Sequence, residues 1–163
     1  MLQSMTSKIS GTARWAVMGA IKGSEDTATA IVKAVSDVLL VAADSVAHVA
    51  VAIEKATSQI LVGAIQAATE TGEDVFLAIK SSVKGVVKGA SEVGADVGKT
   101  AIAAVDGAVK AAGEIGADTS KALEHATSGA IEAAEEIGSD TAQAVREVLR
   151  TAAKGKGDKV SVK

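Results

Sequence analysis

The chain of 163 residues contains no cysteine and no proline. Without cysteine there is no disulfide, no thiolate nucleophile and no thiolate metal site. Without proline, no ring removes a backbone donor or interrupts a helix, so long helices are permitted throughout. Aromatic residues are nearly missing as well: Trp15 and Phe76 stand alone, and there is no tyrosine. Yet 48% of the residues are apolar, supplied mainly by alanine, valine and isoleucine, which is not the composition of a disordered tail. At about 25 cal/mol per Å² of buried apolar surface, alanine contributes far less than leucine or phenylalanine. A compact monomer of such residues would be weakly held, and a partner surface is therefore expected.

Charge is small overall, a net −3, but unevenly placed. Residues 1–22 carry Lys8, Arg14 and Lys22 with no acid, and residues 154–163 carry four lysines against Asp158. The acidic excess thus lies between two basic ends, either of which could touch anionic lipid. The most apolar stretch, Ala34 to Ile53, contains Asp37, Asp44 and His48, charges too costly for a bilayer centre. No secretory signal with a proper apolar block precedes it. The expected location is intracellular, peripheral to a membrane or granule.

Self-similarity dominates what is present. Four blocks align without gaps from Gly63, Gly85, Gly107 and Gly129, one every 22 residues, reading GAIQAATETGED, GVVKGASEVGAD, GAVKAAGEIGAD and GAIEAAEEIGSD. A related GAIK begins at Gly19. The unit divides into elevens. Stepping by eleven from Lys22 meets Lys33, Asp44, Lys55, Gln66, Leu77, Lys88, Lys99, Lys110, Lys121, Glu132, Gln143 and Lys154, and only Leu77 is not polar. Eleven residues make three turns at about 3.67 residues each, close to the relaxed helix. The period predicts an all-α chain of long amphipathic helices, with an apolar arc about 160° wide. In the last block Ala130, Ala133, Ala134, Ile137 and Gly138 fall on that arc, opposite Glu132, Glu135, Glu136 and Ser139. The organisation expected is a basic N-terminal segment (1–18) holding Trp15, a repeat region (19–153) with its clearest units at 63–84, 85–106, 107–128 and 129–150, and a basic tail (154–163).

Two arrangements fit the pattern. Each mid-helix glycine costs about 1 kcal/mol relative to alanine, so the recurring glycines need a reason. In one arrangement Gly72, Gly94, Gly116 and Gly138 end helices, while Asp74, Asp96, Asp118 and Asp140 cap the next, giving antiparallel hairpins with Gly85, Gly107 and Gly129 allowing close approach. In the other the helix runs on as an extended rod with a flat, weakly apolar face. The unbroken register leans towards the rod, although tandem duplication would preserve it in either case.

The constellations that chemistry requires are not in the pattern. His48 and His125 stand 77 residues apart at the same polar position. GVVKGASEVG lacks the Gly-Lys-Ser/Thr ending of a phosphate loop. No serine or threonine sits in a recognisable nucleophile motif. An acidic centre without aromatics is no footprint for nucleic acid. The expectation is a protein without catalysis, cofactor, metal, nucleic acid or small-molecule substrate.

The run GVVKGASEVGADVGKTAIAAVDGAVKAAGEIGADTSKAL, Gly85 to Leu123, resembles the eleven-residue amphipathic repeats of synucleins and perilipins, helices that lie on lipid surfaces. The resemblance spans about residues 19 to 154 in period and composition. It lacks the KTKEGV-like core of synucleins, and Lys88, Lys99, Lys110 and Lys121 lie near the centre of the polar face instead of flanking the apolar one. It implies a coat on a membrane, droplet or granule, anchored through Arg14, Trp15, Lys22, Lys154 and Lys156. The alternative is a self-assembling helical scaffold packed through its Ala and Gly faces; a soluble stress protectant is the third reading.

Overall fold

A computed structural model describes the backbone of residues 2–23, 25–45 and 50–161, and side-chain surroundings for 9–23, 25–42 and 53–152. Among these residues the chain is all-helical: α1 (Leu2–Gly23), α2 (Thr27–Ser45), α3 (Ala50–Thr71), α4 (Val75–Glu92), α5 (Val97–Glu114), α6 (Thr119–Ile137) and α7 (Ser139–Ser161). The expected segment boundaries at 18/19 and 153/154 fall inside α1 and α7.

Three of the four Gly-x-Asp sites lie between helices. Gly72, Gly94 and Gly116 have φ of 75°, 74° and 77°, a left-handed conformation that only a residue without Cβ adopts at little cost. The amide following each glycine bonds back to Ala68, Ala90 and Ala112 at 2.9, 2.9 and 2.8 Å, closing the helix end. Two residues after each glycine an aspartate opens the next helix. Asp74 accepts from the amides of Phe76 and Leu77, Asp96 from that of Lys99, and Asp118 from those of Ser120 and Lys121, satisfying donors that a helix start leaves unpaired. Asp26 does the same for the amide of Thr29 at the start of α2.

The fourth site differs from this expectation. Gly138 has extended backbone (φ 165°, ψ 160°), and α7 begins at the next residue, so Asp140 lies inside the first turn of α7. Gly138 alone spans the junction: its amide bonds to the Ala134 carbonyl and its own carbonyl accepts from Ala142. No cap residue is needed where one residue serves both helix ends.

Each helix packs on its chain neighbours and also on the helix two places away: α3 on α1, α4 on α2, α5 on α3, α6 on α4, α7 on α5. Odd and even helices thereby form two layers, in the manner of stacked helical repeats. Within a layer the helices run parallel, since Gly85 meets Val32 and Val35 while Gly89 meets Ser36 and Leu39.

The repeat glycine makes this spacing possible. A Cβ on Gly85 would lie 2.6 Å from the Val32 carbonyl oxygen; one on Gly63 would meet the Ser10 carbonyl, and one on Gly129 the Lys80 carbonyl. Gly107 lies against the Cα of Ser58, where a Cβ would stand at 3.2 Å. So each of the four blocks places its leading glycine on the backbone of the helix two before it. The larger core side chains, Ile31, Leu39, Ile60, Leu61, Ile65 and Ile79, belong to α2, α3 and α4. By contrast, α6 buries only Ala122, Ala126, Gly129, Ala130, Ala133 and Ala134. Two hydroxyls, Thr57 Oγ1 and Ser82 Oγ, are buried with no hydrogen-bond partner.

Replacing Gly85 or Gly129 by alanine is expected to lower stability by about 1–3 kcal/mol through overpacking. Gly11→Ala, where no heavy atom lies within 4 Å of the added carbon, should instead gain up to about 1 kcal/mol from helix propensity. Equilibrium urea unfolding distinguishes the two, and equal effects at buried and open glycines would refute the close-contact role. In the same assay Ser82→Ala and Thr57→Val should stabilise by about 1 kcal/mol each, because an unpaired buried hydroxyl is removed.

Candidate interaction surfaces

The helix carrying the expected anchors, α1, lies at one end of the odd layer. Its turns place Thr12, Trp15, Gly19 and Lys22 on one exposed stripe. Trp15 is 66% exposed, and the Arg14 guanidinium sits 5.2 Å from its ring centroid. Arg14 is also committed inward: its Nη1 donates to Glu70 Oε2 at 2.8 Å, tying α1 to α3. Neither Gly11 nor Gly19 has a heavy atom within 4 Å of where a Cβ would be. The side chains of Lys154 and Lys156 lie outside the described residues, as does His48.

A second feature is a ladder of charges between α4 and α6. Lys80 pairs with Glu132 at 2.8 Å, and both Lys84 (3.0 Å) and Lys88 (2.7 Å) pair with Glu136. The hydrogen bond from Lys80 holds the Glu132 carboxyl below the usual glutamate range. Hydrogen bonds from Lys88 and then Lys84 do the same for Glu136. Glu132, Glu136 and Lys88 belong to the polar face that the period predicts. The pairing runs between helices because the parallel α4 and α6, drawn together at Gly129, bring their polar edges within reach. Beside the ladder, Phe76 stacks on His125 with ring centroids 5.4 Å apart, and Lys121 lies 6.0 Å over the Phe76 ring.

The third feature is an open groove of about 520 Å³ on α6, lined by Leu123, Glu124, Thr127, Ser128, Ile131, Glu132 and Glu135. Leu123 is 43% exposed. Ile137, expected on the apolar arc, is 36% exposed, and so to a similar degree are Val93 and Ile115 in the preceding units. These residues sit at the helix ends, past the last turn that packs on a neighbour, which is why the arc does not bury them. Arg146 of α7 pairs with Glu135 at 3.5 Å along the edge of the groove.

Among the described residues no three His, Asp or Glu side chains are grouped so as to hold a metal ion, and no helix is long and apolar enough to cross a membrane. No family profile, curated protein or solved structure matches the chain.

The direction of the two carboxyl shifts sets a pH dependence. A carboxylate whose pKa is lowered by folding adds stability that is complete above the unfolded pKa and lost as pH falls through the folded one. The melting temperature should therefore drop as pH is lowered through and below the glutamate range. The drop should be smaller in the Glu132→Gln, Glu136→Gln double variant. Each pair is largely exposed and is expected to contribute below about 1 kcal/mol. An unchanged acid-side slope in that variant would show that the ladder adds nothing.

Proposed function

We propose that this chain is a non-catalytic helical scaffold that works through the surfaces its stack leaves uncovered. The observation that carries the reading is where the small-residue face goes. Alanines and glycines of the repeat, such as Ala108, Ala126, Gly129, Ala130 and Ala134, are buried against other helices of the same chain. A face already satisfied by protein is not free to coat a surface along its whole length. The folded hairpin stack is accordingly favoured over an extended rod, and self-packing over a continuous lipid coat.

A second reading keeps lipid as a partner but confines it to α1. It is favoured by exposed Trp15 beside Arg14 and Lys22, on a helix with no acidic residue. An aromatic ring with flanking basic side chains suits the interface of an anionic membrane. This would be peripheral contact through one edge of the molecule.

Circular dichroism with thermal melting, in buffer and with phosphatidylserine-containing vesicles, distinguishes the readings. A helical chain that melts cooperatively without lipid is the expected result. A chain that is non-helical in buffer and gains helix only with anionic vesicles would restore the coat and discard the scaffold.

A further inference from the structure

The groove on α6 corresponds, within the repeat, to a face that is covered on α4. Adding 44 residues, two repeat units, to positions on α4 gives their counterparts on α6. Ile79, Val83 and Val87, fully buried in α4, become Leu123, Thr127 and Ile131, which line the groove. On α4 this face, with its Lys80 edge, receives α6; on α6 the slot that a helix after α7 would take is open, because α7 packs in the other layer on α5.

The occupant must satisfy two conditions. The first is a glycine at the leading repeat position, since the blocks at Gly63, Gly85, Gly107 and Gly129 each put that residue on the helix two places back. Gly19 stands at the same position, 44 residues before Gly63, and it faces open space. The second condition is charge. The ion pair beside Gly129 is Lys80 on α4 with Glu132 on α6. The counterpart of Lys80 on the groove is Glu124, and the residue of α1 equivalent to Glu132, five units earlier, is Lys22. Both charges are inverted, so the pair remains complementary with its sense reversed. Trp15, four residues before Gly19, has the side-chain area to cover apolar surface at the contact that the other blocks fill with smaller groups.

We infer that the partner of the α6 groove is α1 of a second copy of this chain, with Gly19 on the Glu124 backbone and Lys22 paired to the Glu124 carboxylate. This rests on the scaffold reading above and names its contact. In such an arrangement α2 of the incoming copy falls on α7. There Val41 occupies the glycine position, which holds those two helices farther apart and centres the contact on α1 and α6. The surfaces joined are different on the two partners, so the contact is head-to-tail and does not close on a pair.

The test is sedimentation velocity of the full chain over a concentration series, with circular dichroism on each sample. The wild type should show masses that grow stepwise beyond two copies. Gly19→Val, at an open position, should keep its helicity and melting temperature while shifting association to concentrations about tenfold higher or more. Lys22→Glu and Glu124→Lys should each weaken association, and the double variant K22E/E124K should restore it. A helical wild type that stays monomeric, a plateau at two copies, or assembly indifferent to Gly19→Val would overturn the inference while leaving the scaffold intact. Loss of helical structure in the wild-type chain itself would instead overturn both. Vesicle binding by a chain that remains monomeric would assign α1 to lipid and also overturn it.

Discussion

The fold depends on how closely the backbones of helices two places apart can approach. At Gly63, Gly85 and Gly129 there is no room for even one added carbon, so helix spacing in both layers is set by main chain on main chain. That contact makes alanine adequate elsewhere on the interface: once the backbones are close, a methyl group reaches across, and a larger side chain would hold them apart. The composition that seemed too poor in large side chains for a compact chain is what this spacing requires. Dispersion between many closely placed small groups replaces the deep burial of a few large ones.

The stack is not uniform along its length. Ile, Leu and Val side chains fill the centre around α2, α3 and α4, whereas the fully buried residues of α6 are alanine and glycine alone. It is at α6 that the interhelical ladder of Lys80, Lys84 and Lys88 with Glu132 and Glu136 occurs. Exposed pairs of this kind contribute little energy. Their stronger effect is on register: a shift by one turn along the seam would set Lys80 against Ser128 in place of Glu132, and weak apolar packing alone would penalise that shift only slightly.

Much of the local structure was legible in the residues. The eleven-residue period announces helices, and Gly72, Gly94 and Gly116 followed by aspartate stand at helix ends with the geometry those residue types favour. The unbroken phase fits both arrangements. It leans towards a rod because a turn normally frees the next helix from the old phase. Here each turn is part of the 22-residue unit, so helix plus turn repeats as a whole and the phase survives. The fourth Gly-x-Asp, identical in pattern, forms no such turn, because Gly138 extends and α7 starts at once. Pairings across the stack, such as Arg14 with Glu70 or Lys80 with Glu132, connect residues 56 and 52 positions apart. Nothing in a one-dimensional period specifies which polar residues meet at such distances; the backbone contact at the repeat glycine does.

The ends of a repeat array carry a different constraint from its middle. An internal helix offers one face to the helix before it and another to the helix after it, and at a terminus one of these faces has no neighbour. Arrays remain soluble and finite when terminal units turn polar. On α7, exposed Gln143, Arg146, Glu147 and Arg150 supply such a surface. On α6 the corresponding change is incomplete: Thr127 and Glu124 replace Val83 and Lys80, but Leu123 and Ile131 keep the apolar character of the packed face. On α1 the open face combines Gly19 with Trp15, the largest side chain of the protein, held by Arg14 in an exposed position. The open faces of α1 and α6 thus share packing features with the covered faces of the stack, and Glu124 and Lys22 stand where Lys80 and Glu132 form their pair, with both charges exchanged, which is the complementarity that a contact between copies requires.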